Sequence, residues 1–379
     1  MLVTGNGVPP RVTWEQVLAW RMQRQWLTET TQGSATQVIR RLAGAQAQVP
    51  SFAAASVALR QTSPEPGEVD RLLAERCLMR TWAMRGTLHL LALADAGAYL
   101  SLLAAARIWE KGSWQRTFLD AKDLDRLTAV VHELLDGKVL SREELVAGIV
   151  ERTADRALGD KVRSGWGAVL KPLAWQGILC NGPSRGAQVT FARPDRWFPD
   201  WPGLPPVDEA ASVAVLSYLG AHGPASASTF DEWLSRGATK RASLKEWFAG
   251  LGDRLTVMDV EGERLYARTE DVGDLVDAVP GDTVRLLPSF DQYVLGPGTR
   301  DVHVIAADRR RLVSKAAGWI SPVVVAGGKV VGTWQVTEGR LDIALFSECG
   351  PISPAVLARE AERVASVAGA EYTTSVTTN

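Results

Sequence analysis

Two amides separated by one small apolar residue, Gln46-Ala47-Gln48, are the side chains of this sequence best spaced to do chemistry together. A carboxamide oxygen accepts hydrogen bonds and its nitrogen donates two, so such a pair can hold a water or the edge of a heterocycle without carrying charge. From Arg11 to Arg60 there are six Arg, two Glu and no Lys or Asp, whereas the whole 379-residue chain has a formal net charge of −1. A cationic stretch in a near-neutral protein points to a polyanionic partner, beside which a carboxylate would be repelled and an amide would not. On spacing alone, two solvated surface amides are the more ordinary reading.

Other basic side chains recur at comparable places: Arg40 and Arg41, then Lys161, Arg163 and Lys171, then Lys240, Arg241 and Lys245. Lining one concave face, they would track phosphates; taken singly, each reads as a solvated helix face. The triplet Arg309-Arg310-Arg311 is the densest cluster and reads equally as a backbone-contacting loop or a plain exposed one. Arg85 stands at a strand junction, where it would reach a phosphate or be buried as an ion pair. Arg outnumbers Lys by 33 to 9, a bias of GC-rich coding that weakens any argument from Arg alone.

Several chemistries find no support. The four histidines, His89, His132, His222 and His303, lack metal-ligand spacing, and His89 inside Leu88-His89-Leu90-Leu91 reads as a core histidine. Cys77, Cys180 and Cys349 stand far apart, against a disulfide framework or a thiolate zinc site and in keeping with a reducing, cytoplasmic setting. Gly296-Pro297-Gly298 and Gly327-Gly328 match no nucleotide fingerprint, and no serine sits in a nucleophile elbow. Neither metal nor cofactor is expected. No signal peptide or membrane span is expected from the first ten residues or from any apolar run. Asp291, just after a strand-like run, is expected to orient an Arg such as Arg300.

The elements that must position these residues follow a recurring order, helices and then a β-hairpin, three times over. Thr13 opens a helix from Trp14, Ser34 caps a second, Pro50-Ser51 starts a third and Glu68–Cys77 forms a further one. Strands are expected at 80–84 and 87–91. The second round has helices at 124–135, after the Ser141 capping box, and at 165–175, with strands at 177–180 and 188–192. The third has helices at 209–219, 229–235 (capped by Ser228 or Thr229) and 243–248, with strands at 255–260 and 265–268. The remainder reads as β-rich, with runs at 284–287, 302–306, 319–325, 330–336 and 340–346 and a closing helix at 354–367. Helices followed by a hairpin are the winged form of the helix-turn-helix. The expectation is an α+β chain of three tandem winged-helix units over 1–118, 119–200 and 207–270, with a β-rich C-terminal scaffold over 271–379.

The phrases Gly44-Ala45-Gln46-Ala47-Gln48, Met84-Arg85-Gly86-Thr87-Leu88-His89-Leu90, Leu286-Leu287-Pro288-Ser289-Phe290-Asp291 and the 323–334 hairpin resemble the AlkZ-like family of winged-helix DNA glycosylases over nearly the whole chain. The sequence departs from the family pattern at Gln292–Gly298, with Gly and Pro in place of a more polar stretch. The resemblance implies a positively charged DNA channel formed by the three units and a catalytic Gln-apolar-Gln signature matched by Gln46 and Gln48. It also implies a monomeric, cytoplasmic bacterial enzyme acting on N7-alkylguanine in double-stranded DNA, including bulky azinomycin-type adducts and interstrand crosslinks. Base release is expected without lyase activity and without a membrane partner. Arg40, Arg41, Arg85, Lys240, Arg241, Arg309, Arg310 and Arg311 are the candidate DNA contacts. The alternative is a non-enzymatic winged-helix regulator or drug sensor. Binding carried by phosphate contacts predicts that affinity for duplex DNA falls steeply with salt and varies little with sequence, measured as a linear decline of log Kobs with log salt concentration; a flat salt response with a sequence-specific footprint would contradict it.

Overall fold

The computed structural model describes residues 8–164 and 167–379. Compactness divides the chain into two units, each built from segments distant in sequence. One comprises Met1–Glu68, Val215–Trp233 and Leu251–Asn379; the other comprises Val69–Ala214 and Leu234–Gly250. The fold is mixed α and β.

In the first unit, capping chemistry sets where helices begin. Thr13 and Gln16 form a reciprocal capping box that opens helix Trp14–Arg24, and Ser34 with Gln37 does the same for Ala35–Arg41. Helix Pro50–Ala58 begins at a proline, whose missing N–H has no partner to lose there. A five-stranded sheet runs in the order Val284–Leu287, Val323–Ala326, Lys329–Thr337, Arg340–Leu345, Thr373–Thr378. Its first four strands are antiparallel neighbours and the last is parallel to Arg340–Leu345, reached through helix Pro354–Ala368. Alternation along the strands buries both faces. Leu286, Val324, Leu341 and Ile343 pack with Leu357 and Val364 of that helix, while Leu287, Val323 and Val325 pack with Leu18 and Met22. The hairpin turn at Gly327-Gly328 is as expected, and Gly328 is required there: at φ 83° a Cβ would lie 2.6 Å from the Cβ of Leu18.

The core of this unit also contains an ion pair. Arg60 and Asp291, both 0% exposed, meet through two bonds of 2.8 Å, and Asp291 further accepts from the Ser56 hydroxyl at 2.6 Å and the Tyr293 amide at 2.8 Å. The partner of Asp291 is therefore Arg60 rather than Arg300. Burial by itself raises the Asp291 carboxyl, but the Arg60 charge and the converging donors outweigh it and hold the group below its ordinary range.

The second unit contains helices Ala121–Leu134, Arg142–Thr153 and Arg156–Arg163, then the short Lys171–Trp175. A three-stranded sheet is ordered Leu140–Ser141, Thr190–Ala192, Cys180–Asn181. The expected helix from 165 begins at Lys171, and its residues 165 and 166 lie outside the described residues. Arg156–Arg163, which the sequence reading did not name, is started by Asp155 accepting from the Leu158 amide at 3.0 Å. Its Gly159 is required by close packing, since a Cβ would lie 2.5 Å from Val150. Strands Leu78–Trp82 and Leu88–Ala92 pair antiparallel with Thr81 opposite His89. The long buried helix Leu93–Ala105 follows them and was not expected.

Elsewhere, the third helical round runs Val207–His222, Ala227–Ser235, Arg241–Gly250, then the hairpin Leu255–Val260 and Glu263–Arg268. Ser226, not Ser228 or Thr229, caps its second helix by accepting from the Thr229 amide at 3.0 Å. The expected strand at 302–306 is a turn, because Asp301 accepts from the His303 amide at 2.9 Å and its carbonyl from the Ile305 amide at 2.9 Å, drawing those groups away from any ladder. The strand expected from Trp319 starts only at Val323, after Pro322 has removed a ladder donor.

Replacing Asp291 by Ala leaves the Arg60 guanidinium buried and uncompensated, with an expected loss of about 3–5 kcal/mol in urea denaturation. The carboxylate of the native chain contributes fully above its unfolded pKa of about 3.9 and loses that contribution as pH falls through the lower folded value. A loss below about 1 kcal/mol, the scale of an exposed pair, would contradict the account.

Candidate active site

Helix Ala35–Arg41 ends in a Schellman motif: the Gly44 amide donates to Ile39 O at 2.9 Å and the Ala43 amide to Arg40 O at 3.1 Å. Ala43 takes the left-handed position (φ 56°) that glycine ordinarily fills, and Gly44 follows at φ 103°. This double reversal delivers the short strand Ala45–Gln46, and within four residues helix Pro50–Ala58 begins. The tight connection separates the two amides by environment. Gln46 is 6% exposed, Ala47 is buried, and Gln48 is exposed at a bend. One amide is thus immobilised by the surrounding protein and the other faces solvent, an arrangement able to orient a water between a fixed acceptor and an adjustable one.

Helix Ala35–Arg41 also carries Arg40, exposed, and Arg41, half-buried. The Arg41 guanidinium stacks over Trp26 at 4.4 Å and donates to Arg24 O at 3.3 Å. Burial first, and then the charges of Arg24 and Arg268, bring its pKa down to about 10, with only Asp271 opposing them. Arg268 is itself forked onto Asp271 and bridged to Glu270 at 2.8 Å, and Arg24 lies 3.9 Å from Asp271, so carboxylates engage much of the charge of this cluster. Arg24 and Arg268 were missed by sequence reading, since nothing local links residue 268 to residue 41. Trp319 was missed as well: 43% exposed, it packs edge-on against Phe290 at 5.1 Å and against Phe52, on the helix that follows Gln48, at 6.0 Å. An exposed ring in this position can stack on a heterocycle.

The other expected contacts differ among themselves. Arg309 forks onto Glu348 and lies over Phe346, so its charge is already engaged. Arg310 donates to Thr299 O at 3.1 Å, and Arg311 is exposed. The triplet is mostly a one-turn helix, Arg310–Val313, rather than a loop. In the second unit, Arg85 adopts φ 56° at the turn between Leu78–Trp82 and Leu88–Ala92 and is half-buried, while Lys240 and Arg241 are exposed at the start of helix Arg241–Gly250. Arg163 bridges Glu143 and Asp160. Lys171 is brought below the usual lysine value by burial and then by Arg236. Among the described residues no group of three or more His, Cys, Asp or Glu is placed to hold a metal, and no helix is long and apolar enough to cross a membrane.

Comparison with known proteins decides the family. The AlkZ-like DNA glycosylase family model matches residues 39–367, from the helix before Gln46 to the closing helix. The chain belongs to that family. It is 48% identical over 361 residues, 95% of this chain and 97% of the relative, to an interstrand DNA cross-link repair glycosylase of Streptomyces sahachiroi. It is also similar to the solved structure of the Streptomyces sahachiroi DNA glycosylase AlkZ, with a TM-score of 0.93 at 46% identity, covering 97% of this chain and all of that one. Membership favours an AlkZ-like enzyme over a non-enzymatic regulator.

His89, within one of the phrases that carried the resemblance, is fully buried as expected of a core histidine, but it is only half satisfied. Its Nδ1 donates to Thr87 O at 3.0 Å, while Nε2 has no partner among the described residues. Burial, and secondarily the Arg85 charge, lowers its pKa to about 3. The unfolded chain, with a histidine near 6.5, then binds the proton that the folded chain excludes, so stability is full above about pH 6.5 and declines as pH falls toward 3. His89→Gln should flatten that part of the stability profile in denaturation between pH 7 and 4; an unchanged slope would show that His89 does not exclude its proton.

Proposed function

We propose that this AlkZ-like glycosylase hydrolyses the N-glycosidic bond of N7-alkylated guanines in duplex DNA, including bulky adducts and interstrand crosslinks, with Gln46 and Gln48 at the reactive centre. The observation that carries the reading is the pair itself: one buried amide and one exposed amide just ahead of a helix, on the segment that follows Arg40 and Arg41, in a family of DNA glycosylases. Similarity to a cross-link repair glycosylase supports the choice of substrate.

Alkylation at N7 makes the purine cationic, so it leaves without a general acid. The C1′–N9 bond breaks with its electron pair passing into the ring, which neutralises the charge, and the sugar becomes oxocarbenium-like. Water then adds to C1′ and its proton goes to solvent. The protein's share is to orient that water and to place carbonyl dipoles toward developing positive charge, which two amides do without a carboxylate. No lysine is needed because no Schiff base forms, so the enzyme is read as monofunctional. The three helix-and-hairpin rounds are read as tandem winged helices whose basic residues, Arg40, Arg41, Arg85, Lys240, Arg241 and Arg311 foremost, follow the backbone of DNA bound by a monomer. The part of the fold from 271 onward is read as the β-rich scaffold. A base tethered to the opposite strand cannot swing freely into a closed pocket, so an open binding surface suits a crosslink.

The test is base release from N7-methylguanine duplex and from a crosslinked duplex under single turnover, comparing wild type with Gln46→Ala and Gln48→Ala. Either substitution should slow release by about 10- to 1,000-fold, the scale for removing one preorganised dipole, while leaving lesion-DNA affinity nearly unchanged. Failure of the wild type to free any base would sink the activity, and variants that release base at the wild-type rate would remove the pair from the reactive centre.

A further inference from the structure

The stretches that flank the Gln46-Ala47-Gln48 segment on either side are joined by a single buried hydrogen-bond chain, and the donors and acceptors along it are fixed by its chemistry. His222, 0% exposed, closes helix Val207–His222. Its Nε2 lies 3.2 Å from Leu42 O, and because a carbonyl can only accept, Nε2 carries the proton. Its Nδ1 is then a lone pair, and it accepts from Gln25 Nε2 at 3.2 Å. The other Gln25 N–H donates to Ala221 O at 2.9 Å, which turns Gln25 Oε1 toward Arg60 Nη2 at 3.3 Å. Arg60 carries the chain on to Asp291 and donates to Ser56 O at 2.7 Å. Apart from the Arg60 Nε–H, which has no partner among the described residues, the donors along this path meet acceptors, and reversing either the imidazole tautomer or the Gln25 amide would set like groups against each other at two or more places.

The two landing points bracket the segment. Leu42 is the cap residue of helix Ala35–Arg41, immediately before the left-handed pair Ala43-Gly44, while Ser56 lies in the last turn of helix Pro50–Ala58 and Arg60 just beyond its cap Leu59. Neighbouring elements hold His222 in place. Arg21 donates to Gly223 O at 3.1 Å and Pro224 O at 3.3 Å, and the Tyr218 ring lies 5.4 Å away. The backbone at Gly296 passes so close that any Cβ there would overlap the imidazole. Gln48, exposed at its bend, is held by the placement of these flanks.

We infer that His222 and Gln25 are positioning residues for the Gln46-Ala47-Gln48 centre: the His222 N–H to Leu42 O fixes where the segment begins, through the same chain that fixes the helix on which it ends. This rests on the proposed role of the pair in base release. Removing the Leu42 contact lets the segment shift by a fraction of its length, and displacements near 1 Å reduce rates by about 10- to 100-fold.

The experiment measures single-turnover release from N7-methylguanine duplex, lesion-DNA affinity and thermal unfolding for His222→Phe, His222→Gln and Gln25→Leu, each in the wild-type and Gln46→Ala backgrounds. His222→Phe should slow release by about tenfold or more with affinity changed less than about twofold. His222→Gln, which restores an N–H near Leu42 O, should recover most of the rate. In the Gln46→Ala background the His222 and Gln25 substitutions should add little further loss, because residues that act through one another are non-additive. Gln25→Leu, which keeps the imidazole, carries the same test if His222→Phe does not fold. Equal losses in both backgrounds, or a rate that falls only in step with affinity and melting temperature, would overturn the positioning role. A wild-type rate for Gln46→Ala alone would sink the catalytic reading of the pair and the positioning inference with it, a result separable from failure at His222.

Discussion

A guanidinium and a carboxylate both removed from water are tolerable only when each satisfies the other, and Arg60 with Asp291 is such a case: two 2.8 Å bonds between groups that are 0% exposed, with Ser56 and the Tyr293 amide taking up further lone pairs. Replacement by apolar side chains could stabilise such a core as well, so stability is a weak explanation for a buried pair. Geometry is a stronger one. A paired charge accepts few alternative partners, and this one joins helix Pro50–Ala58 to the loop after strand Val284–Leu287, segments more than 200 residues apart in the chain. The helix, the sheet and the segment leading into the helix consequently share one frame.

That frame matters because amides are weak catalytic groups. A carboxylate contributes through charge even when loosely held, whereas a carboxamide contributes through a directed dipole whose value depends on where it points. A cationic leaving group lowers the demand enough for amides to suffice in the proposed reaction, provided that they are held. The Schellman reversal at Ala43-Gly44 and the proline-started helix allow little slack between the flanks. Neutral side chains also add no negative charge of their own to the segment that follows Arg40 and Arg41, as a polyanionic partner requires.

Local signals in the sequence were dependable where the physics is local. The capping boxes at Thr13, Ser34 and Ser141, the Gly327-Gly328 turn and the closing helix all follow from groups within a few residues of one another. The strand expected at 302–306 failed for the complementary reason: apolar composition suggested a ladder, but Asp301 captured the backbone groups that a ladder would use. The Asp291 partner was misassigned to Arg300 because proximity in sequence was the only available guide, and the true partner lies 231 positions away.

The sequence by itself determined the elements, the local excess of arginine and the Gln-apolar-Gln phrase, since periodicity, capping and composition are properties of short stretches. Only the tertiary structure decided that Gln46 is buried while Gln48 is exposed, that Arg309 is neutralised by Glu348, and that Arg41 shares its surroundings with Arg24 and Arg268. Burial and charge pairing depend on which distant segments meet, and no pattern within a stretch of a few residues records that.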